Sequence, residues 1–381
     1  MIKYLITHPI QYQAPLFRFL SKRLNFSVIF RSDFSIKKSF DPTFNKNILL
    51  DKNLLSGYQY DFLDHIGPNK VSNIFPLTTQ FSKKIFTKET KIICIHGIKI
   101  WFNIIIIILA KIKKKKVFIR EELNNLKKRS ILNIFLNKVY FFIIDKFIDC
   151  YLSAGKQSTK TLIYYGVNKK KIFLLPYCVN NKKFKTKIPK KFTKITILFT
   201  GKLIYRKGCD LLLNAIKDLN TNKKFKKDVK VKIVGDGPLL KKLKEFKKKN
   251  NLDNVKFLGF KDQELIKHYY KNSNLFIMPS REENWGLALN EAMASKNIVI
   301  ASNKVGASYD LIINNKNGYT FINNNYVDLS KKIMKIYKNK KSDNVKLSSN
   351  SEKIISKWSF NEFYIGLSAA INYVLKAEKS N

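Results

Sequence analysis

The sequence predicts an α/β chain built from two parallel, doubly wound sheets. Three observations lead there. Short runs rich in β-branched and aromatic residues alternate with stretches of helical periodicity along the whole chain, the pattern of successive βα units. The chain has 381 residues, 45% of them hydrophobic, enough for two cores of ordinary domain size. The segment 185–194 (KTKIPKKFTK), with Pro, dense Lys and no periodicity, divides the alternation near its middle.

In the first half the strand signals fall at 3–7, 26–30, 91–95, 117–119, 150–153 and 172–175, with helical periodicity at 14–24 and 131–147. The stretch 92–110 is nearly apolar and is followed by Lys111, Lys113, Lys114, Lys115 and Lys116. It is interrupted by His96, Gly97, Lys99 and Asn103, and its unbroken apolar run, 104–110, is too short to span a bilayer. It therefore reads as a strand followed by a buried helix. In the second half strands are expected at 195–200, 231–234, 255–258, 275–278, 298–301 and 319–321, with helices at 209–219, 239–249, 262–270 and 287–295. The Lys-, Asn- and Ser-rich stretch 335–353 reads as solvated chain and leads to an aromatic helix at 361–376. The expected organisation is a first domain 1–184, a linker 185–194, a second domain 195–357, and a C-terminal helix in 358–381 that packs back on the first domain.

The chain carries 73 Lys plus Arg against 27 Asp plus Glu, a formal charge of +46. Such a surplus attracts polyanions and anionic membrane surfaces. Only seven of the cations are Arg, the residue that reads bases and phosphates bidentately, so no nucleic-acid partner is expected. The abundance of Asn, Ile and Phe beside Lys points to compositional bias as the main source of charge. Lys83-Lys84, the Lys111 to Lys116 cluster and Lys127-Lys128-Arg129 nevertheless lie beside apolar helices of the first half, which suggests reversible binding to an anionic membrane face. Four Cys stand far apart without CxxC or metal-ligand spacing, and the N-terminus reads as a strand rather than a signal peptide. A cytoplasmic protein, peripheral at most on the plasma membrane, is expected. No Walker loop, HExxH, GxSxG or Asp-x-Asp is present, and Gly235-x-Gly237 lacks the third glycine of a dinucleotide fingerprint. Neither a metal nor a cofactor is expected.

The strongest constellation is PSREENWGLALNEAMA at 279–294, which follows a buried strand and opens a helix. Ligands of open α/β sheets bind beyond the carboxyl ends of strands, and a helix start suits a phosphate. Gly286 lets the backbone approach a ligand. Glu283 lies before the helix, placed for the sugar side of a bound diphosphate, and Glu291 two turns into it, placed for the ribose side.

The Glu283-to-Glu291 spacing, with Trp285-Gly286-Leu287 between, resembles the signature of the family 4 (group 1) retaining glycosyltransferases. FTGKLIYRKG at 199–208, VGDGPL at 234–239 and VKFLG at 255–259 match further segments of that family in order, as do SAGK at 153–156 and PYCVN at 176–180. The match covers 150–322 well and the first 150 residues more loosely. The resemblance implies the GT-B fold, two Rossmann-like domains facing a central cleft. It also implies transfer of a sugar from a nucleotide-sugar to a glycan or lipid-linked acceptor, in surface-polysaccharide assembly such as that of lipopolysaccharide. It implies that Lys207, with Lys202 or Arg206, neutralises the donor diphosphate; that Gly201, Gly235, Asn284, Trp285, Gly286 and Leu287 shape the donor loops; that Phe257 and Leu258 frame the base; and that Glu291 binds the ribose. Glu283 and His96 would meet the sugar. Lys202 stands where the family usually has Arg, replacing a fork by a point charge. His8 and Gln13, in place of a glycine-rich first loop, and Arg120 are expected on the acceptor side. Retention is expected by a front-face route without a carboxylate nucleophile. A catalytically silent binding protein on the same scaffold is the alternative, disfavoured by the intact Glu283, Gly286, Glu291 and Lys207. A basic nucleic-acid-binding protein is the more remote one.

Overall fold

A computed structural model describes all residues except 34–35, 37–38, 42–45, 49–52, 67–76, 99, 125–129, 187–189 and 380–381. The basic cluster Lys127-Lys128-Arg129 and Lys99 lie outside the described residues. The chain forms two compact units. One comprises Met1–Asp41, Lys46–Val179 and Phe360–Asn381; the other comprises Asn180–Ser359.

The first unit holds a parallel seven-stranded sheet. Its strands are β1 (Ile2–Ile6), β2 (Phe26–Phe30), β3 (Gln59–Phe62), β4 (Ile92–His96), β5 (Lys116–Glu121), β6 (Cys150–Ser153) and β7 (Ile172–Leu174), in the order β7-β6-β5-β4-β1-β2-β3. Its longer helices are α1 (Ala14–Ser21), α2 (Trp101–Ile112), α3 (Ile131–Ile144) and α4 (Lys156–Tyr164). Alternate residues of each central strand serve two cores, as the pleat requires. Tyr4, Val28, Cys94, Phe118 and Leu152 join Phe17 and Leu20 of α1 on one face. Leu5, Ile29, Ile93, Ile119 and Tyr151 join Phe102, Ile106 and Ile107 of α2 on the other. Strand β3 carried no clear sequence signal, because it is a mostly exposed edge strand of sequence QYDF.

The second unit holds a parallel six-stranded sheet of β8 (Ile195–Thr200), β9 (Val229–Val234), β10 (Val255–Phe257), β11 (Leu275–Met278), β12 (Ile298–Ser302) and β13 (Gly318–Phe321), ordered β10-β9-β8-β11-β12-β13. Around it lie α5 (Cys209–Leu219), α6 (Leu240–Lys249), α7 (Gln263–Lys271), α8 (Leu287–Ala294), α9 (Tyr326–Lys338) and α10 (Lys341–Ile355). The strand order reverses between β8 and β11, and in the first unit between β1 and β4. Each reversal is a switch point where loops diverge and leave room for a ligand.

Two expectations give way. The stretch 335–353 is not solvated chain: it is the end of α9 and most of α10. Its buried side chains are largely small and polar, so apolar periodicity hides the helix. The Ser348 hydroxyl donates to the Lys296 carbonyl at 2.6 Å, and the Asn344 amide to the Ile336 carbonyl at 2.9 Å. The division between units falls at 179/180, ahead of 185–194. Within that segment Lys190 is buried, its ammonium donating to the carbonyls of Tyr270 (3.0 Å), Lys271 (2.6 Å) and Ser273 (2.5 Å), and burial lowers its pKa to about 7.

The last helix, α11 (Phe360–Lys379), belongs to the first unit. Phe363, Leu367, Ala370 and Val374, spaced as one helical stripe, complete the core beside α1. Leu367 is 2% exposed and Leu375 42% exposed. Leu367→Ala is expected to destabilise the unit by about 2–5 kcal/mol, the cost of a buried cavity, whereas Leu375→Ala changes stability by no more than about 0.5 kcal/mol. Urea unfolding of both variants checks this.

Candidate functional site

In the second unit three loops leave the carboxyl ends of adjacent strands and touch through their backbones. The loop after β8 begins at Gly201 and runs through the single turn Tyr205–Lys207 to Gly208. The loop after β9 begins at Gly235, and the loop after β11 is 279–286. A Cβ on Gly235 would lie 1.9 Å from the Gly201 carbonyl oxygen. One on Gly208, whose φ is +68°, would lie 2.0 Å from that of Pro279. Only glycine permits these approaches.

Where the first and third loops meet, charges converge. Lys207 donates to the Glu283 carboxylate, and Arg206 reaches the same carboxylate at 3.4 Å and the Glu282 carbonyl at 2.9 Å. The Glu283 backbone is held on both sides: its N–H donates to Lys304 (3.1 Å) and its carbonyl accepts from Gly306 (3.0 Å). Lys202, partly buried, follows Gly201 in the first loop.

A residue to which the sequence reading gave no role fastens this arrangement. Arg281 forms a fork with Asp210, at 2.8 and 2.5 Å, and donates to the Tyr205 carbonyl at 2.6 Å and to Asn324 Oδ1 at 2.7 Å. Its guanidinium lies 3.9 Å over the Tyr205 ring, and its backbone N–H donates to the Arg206 carbonyl at 2.8 Å. The segment bearing Arg206 and Lys207 is thus tied to the loop bearing Glu283 by side chain and main chain together. An Arg inside the motif, in a chain with only seven, was the available signal.

Helix α8 starts at Gly286, which has φ +104°. Asn284 is exposed and Leu287 partly so, but the Trp285 side chain turns inward. Its indole N–H donates to Asn290 Oδ1 at 3.0 Å, and its ring lies 5.1 Å from that of Trp358. Trp285 can therefore present only backbone to a ligand; its side chain anchors the loop. On the far side of the sheet, the Leu258 N–H donates to the Ile233 carbonyl and the Gly235 N–H to the Gly259 carbonyl, both at 2.9 Å. These bonds hold the β10 end against the second loop, with Phe257 half-buried on the core and Leu258 partly exposed.

Glu291 sits in the second turn of α8. Loss of water around its carboxyl raises its pKa to about 7, against the opposing effects of a hydrogen bond with Tyr270 and the charge of Lys183. The Tyr270 hydroxyl lies 2.8 Å from that of Thr200 at the end of β8, so Glu291 is connected to the strand that carries the first loop.

In the first unit His96 ends β4. Its Nδ1 is 3.2 Å from the Tyr4 hydroxyl and its Nε2 3.3 Å from Glu122 Oε1. Burial alone would raise the Glu122 pKa, but His96, Tyr177 and Arg120 outweigh it and hold the carboxyl below its usual range. The Tyr177 hydroxyl in turn meets that of Tyr12 at 2.7 Å. Glu122, Tyr12 and Tyr177 were not singled out in the sequence, since nothing local marks residues brought together from three loops. His8 follows β1, with Nδ1 3.1 Å from the Thr7 hydroxyl, and burial lowers its pKa to about 4. Gln13 precedes α1. Its buried Oε1 has no hydrogen-bond partner among the described residues and lines a small cavity with Tyr4, Tyr12, Arg120 and Tyr177.

Arg120 is used differently from the acceptor-facing role expected. It is 2% exposed, and its guanidinium donates to the carbonyls of Leu152, Ser153 and Leu175 between the rings of Tyr177 and Phe363. A strand-end position suggested an open side chain, but a bulky residue on the inward side of the pleat is carried into the core.

The Glu291 carboxyl supplies a stability test. Its folded pKa exceeds the unfolded value near 4.3, so its contribution is full below that value and is lost as pH rises through about 7. Glu291→Gln should therefore lose less thermal stability than the wild type between pH 5 and pH 8; parallel melting curves at the two pH values measure it.

Comparison with known proteins bears on the second unit's sequence and on the fold. Residues 180–354 match the family described as Glycosyl transferases group 1. An uncharacterized glycosyltransferase of Methanocaldococcus jannaschii is 30% identical over 224 residues, 59% of this chain and 56% of that protein. The 2-deoxystreptamine N-acetyl-D-glucosaminyltransferase of Niallia circulans is 25% identical over 255 residues, 66% of this chain and 61% of that protein. The chain thus spans less than two thirds of the length of these curated relatives. Among solved structures, Anabaena HepE in complex with UDP aligns with a TM-score of 0.74 at 16% identity, over 97% of this chain and 99% of that one. Sucrose-phosphate synthase of Thermosynechococcus elongatus aligns with 0.71 at 16% identity, over 99% of each. At such identity the likeness is one of fold. The two parallel-sheet units have the GT-B fold, and residues 180–354 carry the sequence features of the group 1 glycosyltransferases.

Proposed function

We propose that the chain is a retaining glycosyltransferase that moves a hexosyl-type sugar from a nucleoside diphosphate to a glycan or lipid-linked acceptor, in cell-surface polysaccharide biosynthesis. The observation that carries this reading is the meeting of Lys207, Arg206 and Glu283 beside the start of α8, at the carboxyl ends of neighbouring strands. Lys207 and Glu283 are paired with one another. A donor would separate their duties: the diphosphate takes the cations and the α8 start, and the sugar hydroxyls take the Glu283 carboxylate. Glu291 would accept from the ribose, and Phe257 and Leu258 would border the base. The UDP bound to HepE is in keeping with a nucleotide in this fold.

In the proposed reaction the acceptor hydroxyl oxygen bonds to the anomeric carbon on the face from which the diphosphate departs. The carbon–oxygen bond to phosphate breaks with its electron pair, and a leaving phosphate oxygen takes the hydroxyl proton. The chain supplies position and charge stabilisation for the leaving group. The reaction would take place at the cytoplasmic face of a membrane, to which the basic surface would hold the protein.

The deciding experiment is a thermal-shift screen of nucleoside diphosphate sugars, in which a ligand at about 100 times its Kd adds about 2.7 kcal/mol of stability. No shift with any donor overturns the reading, and an inverted anomeric configuration in the product, seen by NMR, overturns retention. Lys207→Ala should lower kcat/KM at least about tenfold, the loss of a charge-assisted hydrogen bond, and more than Lys202→Ala. Arg281→Lys should not restore what Arg281→Ala loses, because an ammonium cannot make the fork to Asp210. Steady-state kinetics with the donor from the screen measures all four. No three of His, Cys, Asp and Glu gather to hold a cation among the described residues, and turnover should persist in EDTA, measured by the same assay.

A further inference from the structure

Helix α3 is apolar on two sides, and only one of them is used within its unit. Phe141 and Ile144 are buried in the core with α2 and the sheet. Ile131, Leu132, Phe135, Leu136, Phe142 and Ile143 are 53% to 86% exposed. At about 100° per residue these six side chains occupy one continuous arc of about 140°, with no charged residue inside it. Six large apolar groups on one face exceed the scattered apolar exposure normal on a water-facing surface.

The border of the arc is cationic. Lys138 lies at its edge, with its ammonium 5.1 Å over the Tyr164 ring; that of Lys146 lies 5.1 Å over the Phe142 ring. Between residues 101 and 171 the sequence has sixteen Lys and Arg against four Asp and Glu, and Lys127-Lys128-Arg129 precede the helix in the chain. An apolar face edged by Lys matches an anionic lipid surface, with acyl chains below and phosphates at the rim. It fits a second copy of the chain poorly, since pairing would set like charges against each other. The helix has 14 residues, about 21 Å at 1.5 Å each, short of the ~30 Å hydrocarbon core. Among the described residues no helix is long and apolar enough to cross a membrane.

We propose that α3 lies in the interfacial layer of an anionic bilayer, with Ile131, Phe135, Phe142 and Ile143 inserted and Lys138 and Lys146 at the phosphates. This rests on the membrane part of the function proposed above and changes its physics: the anchor is apolar insertion, and the cations select the lipid.

The test is co-sedimentation of the full chain with vesicles of equal parts phosphatidylglycerol and phosphatidylcholine, beside vesicles of phosphatidylcholine alone. The wild type should prefer the anionic vesicles and stay partly bound at about 0.5 M salt, where charges are screened within a few ångströms. Phe135→Glu/Phe142→Glu should lower the partition coefficient at least about tenfold, since burial of one large apolar side chain is worth that factor or more, with an unchanged circular dichroism spectrum. Should that variant misfold, Phe142→Trp decides: its added emission should shift to the blue on binding and be quenched by brominated acyl chains. Three results would overturn the proposal: undiminished binding of the double Glu variant, complete release by salt, or an unshifted Trp. Sedimentation velocity showing a dimer that the double variant splits, with vesicle binding unaffected, would also overturn it. The donor screen on the same protein reports separately on the transferase reading, because neither Phe belongs to the donor loops.

Discussion

The fork between Arg281 and Asp210 governs how the second unit presents its charges. The loops after β8 and β11 belong to strands that pair with each other but are separated in sequence by more than seventy residues, so their ends meet only if something holds them. Arg281 does this with a carboxylate, a carbonyl and an aromatic face at once, while its own backbone N–H bonds to Arg206. A planar guanidinium suits such a junction because all its donors are fixed in one plane. Once that tie is made, Lys207 and Glu283 face one another. The glycine at 208 lets the main chains of these two loops come close enough for the tie to be short.

The first unit solves a related problem with buried polarity. His96, Glu122, Tyr177, Tyr12 and Tyr4 form a hydrogen-bonded series around the ends of β1 and β4, and Arg120 is enclosed beside it among carbonyls. Burying a charge without partners is prohibitive, but a guanidinium with several carbonyl acceptors and two ring faces is well provided for. Gln13 is the exception in this neighbourhood, with a buried oxygen that finds no donor among the described residues. The two units thus differ in kind: one gathers cations and a carboxylate at loop tips, and the other encloses a carboxylate among an imidazole, phenol hydroxyls and a guanidinium.

The surfaces follow the same logic of what each face meets. Helix α10 buries serines and an asparagine, whose short side chains bond to nearby carbonyls and allow close packing. Helix α3 carries large apolar groups on both its inner and its outer faces. Residue type by itself therefore misleads in opposite directions, one polar helix face being interior and an apolar arc exterior.

The strands of both sheets, apart from the edge strand β3, were legible in the sequence to within a residue or two, because a buried parallel strand must be continuously apolar. The loop and helix positions of Lys207, Glu283, Gly286 and Glu291 were legible as well, since they lie in short motifs around strand ends whose spacing the backbone dictates. Other features were settled by tertiary contact alone: the inward turn of Trp285, the enclosure of Arg120, the tie through Arg281 and Asp210, and the Glu122–Tyr177 series. Each depends on which way a side chain leaves a particular strand or loop and on what waits there from a distant part of the chain. Local sequence sets the alternation of the pleat, but the partner is supplied by the fold, and with it whether a charge faces water, a carboxylate or a carbonyl.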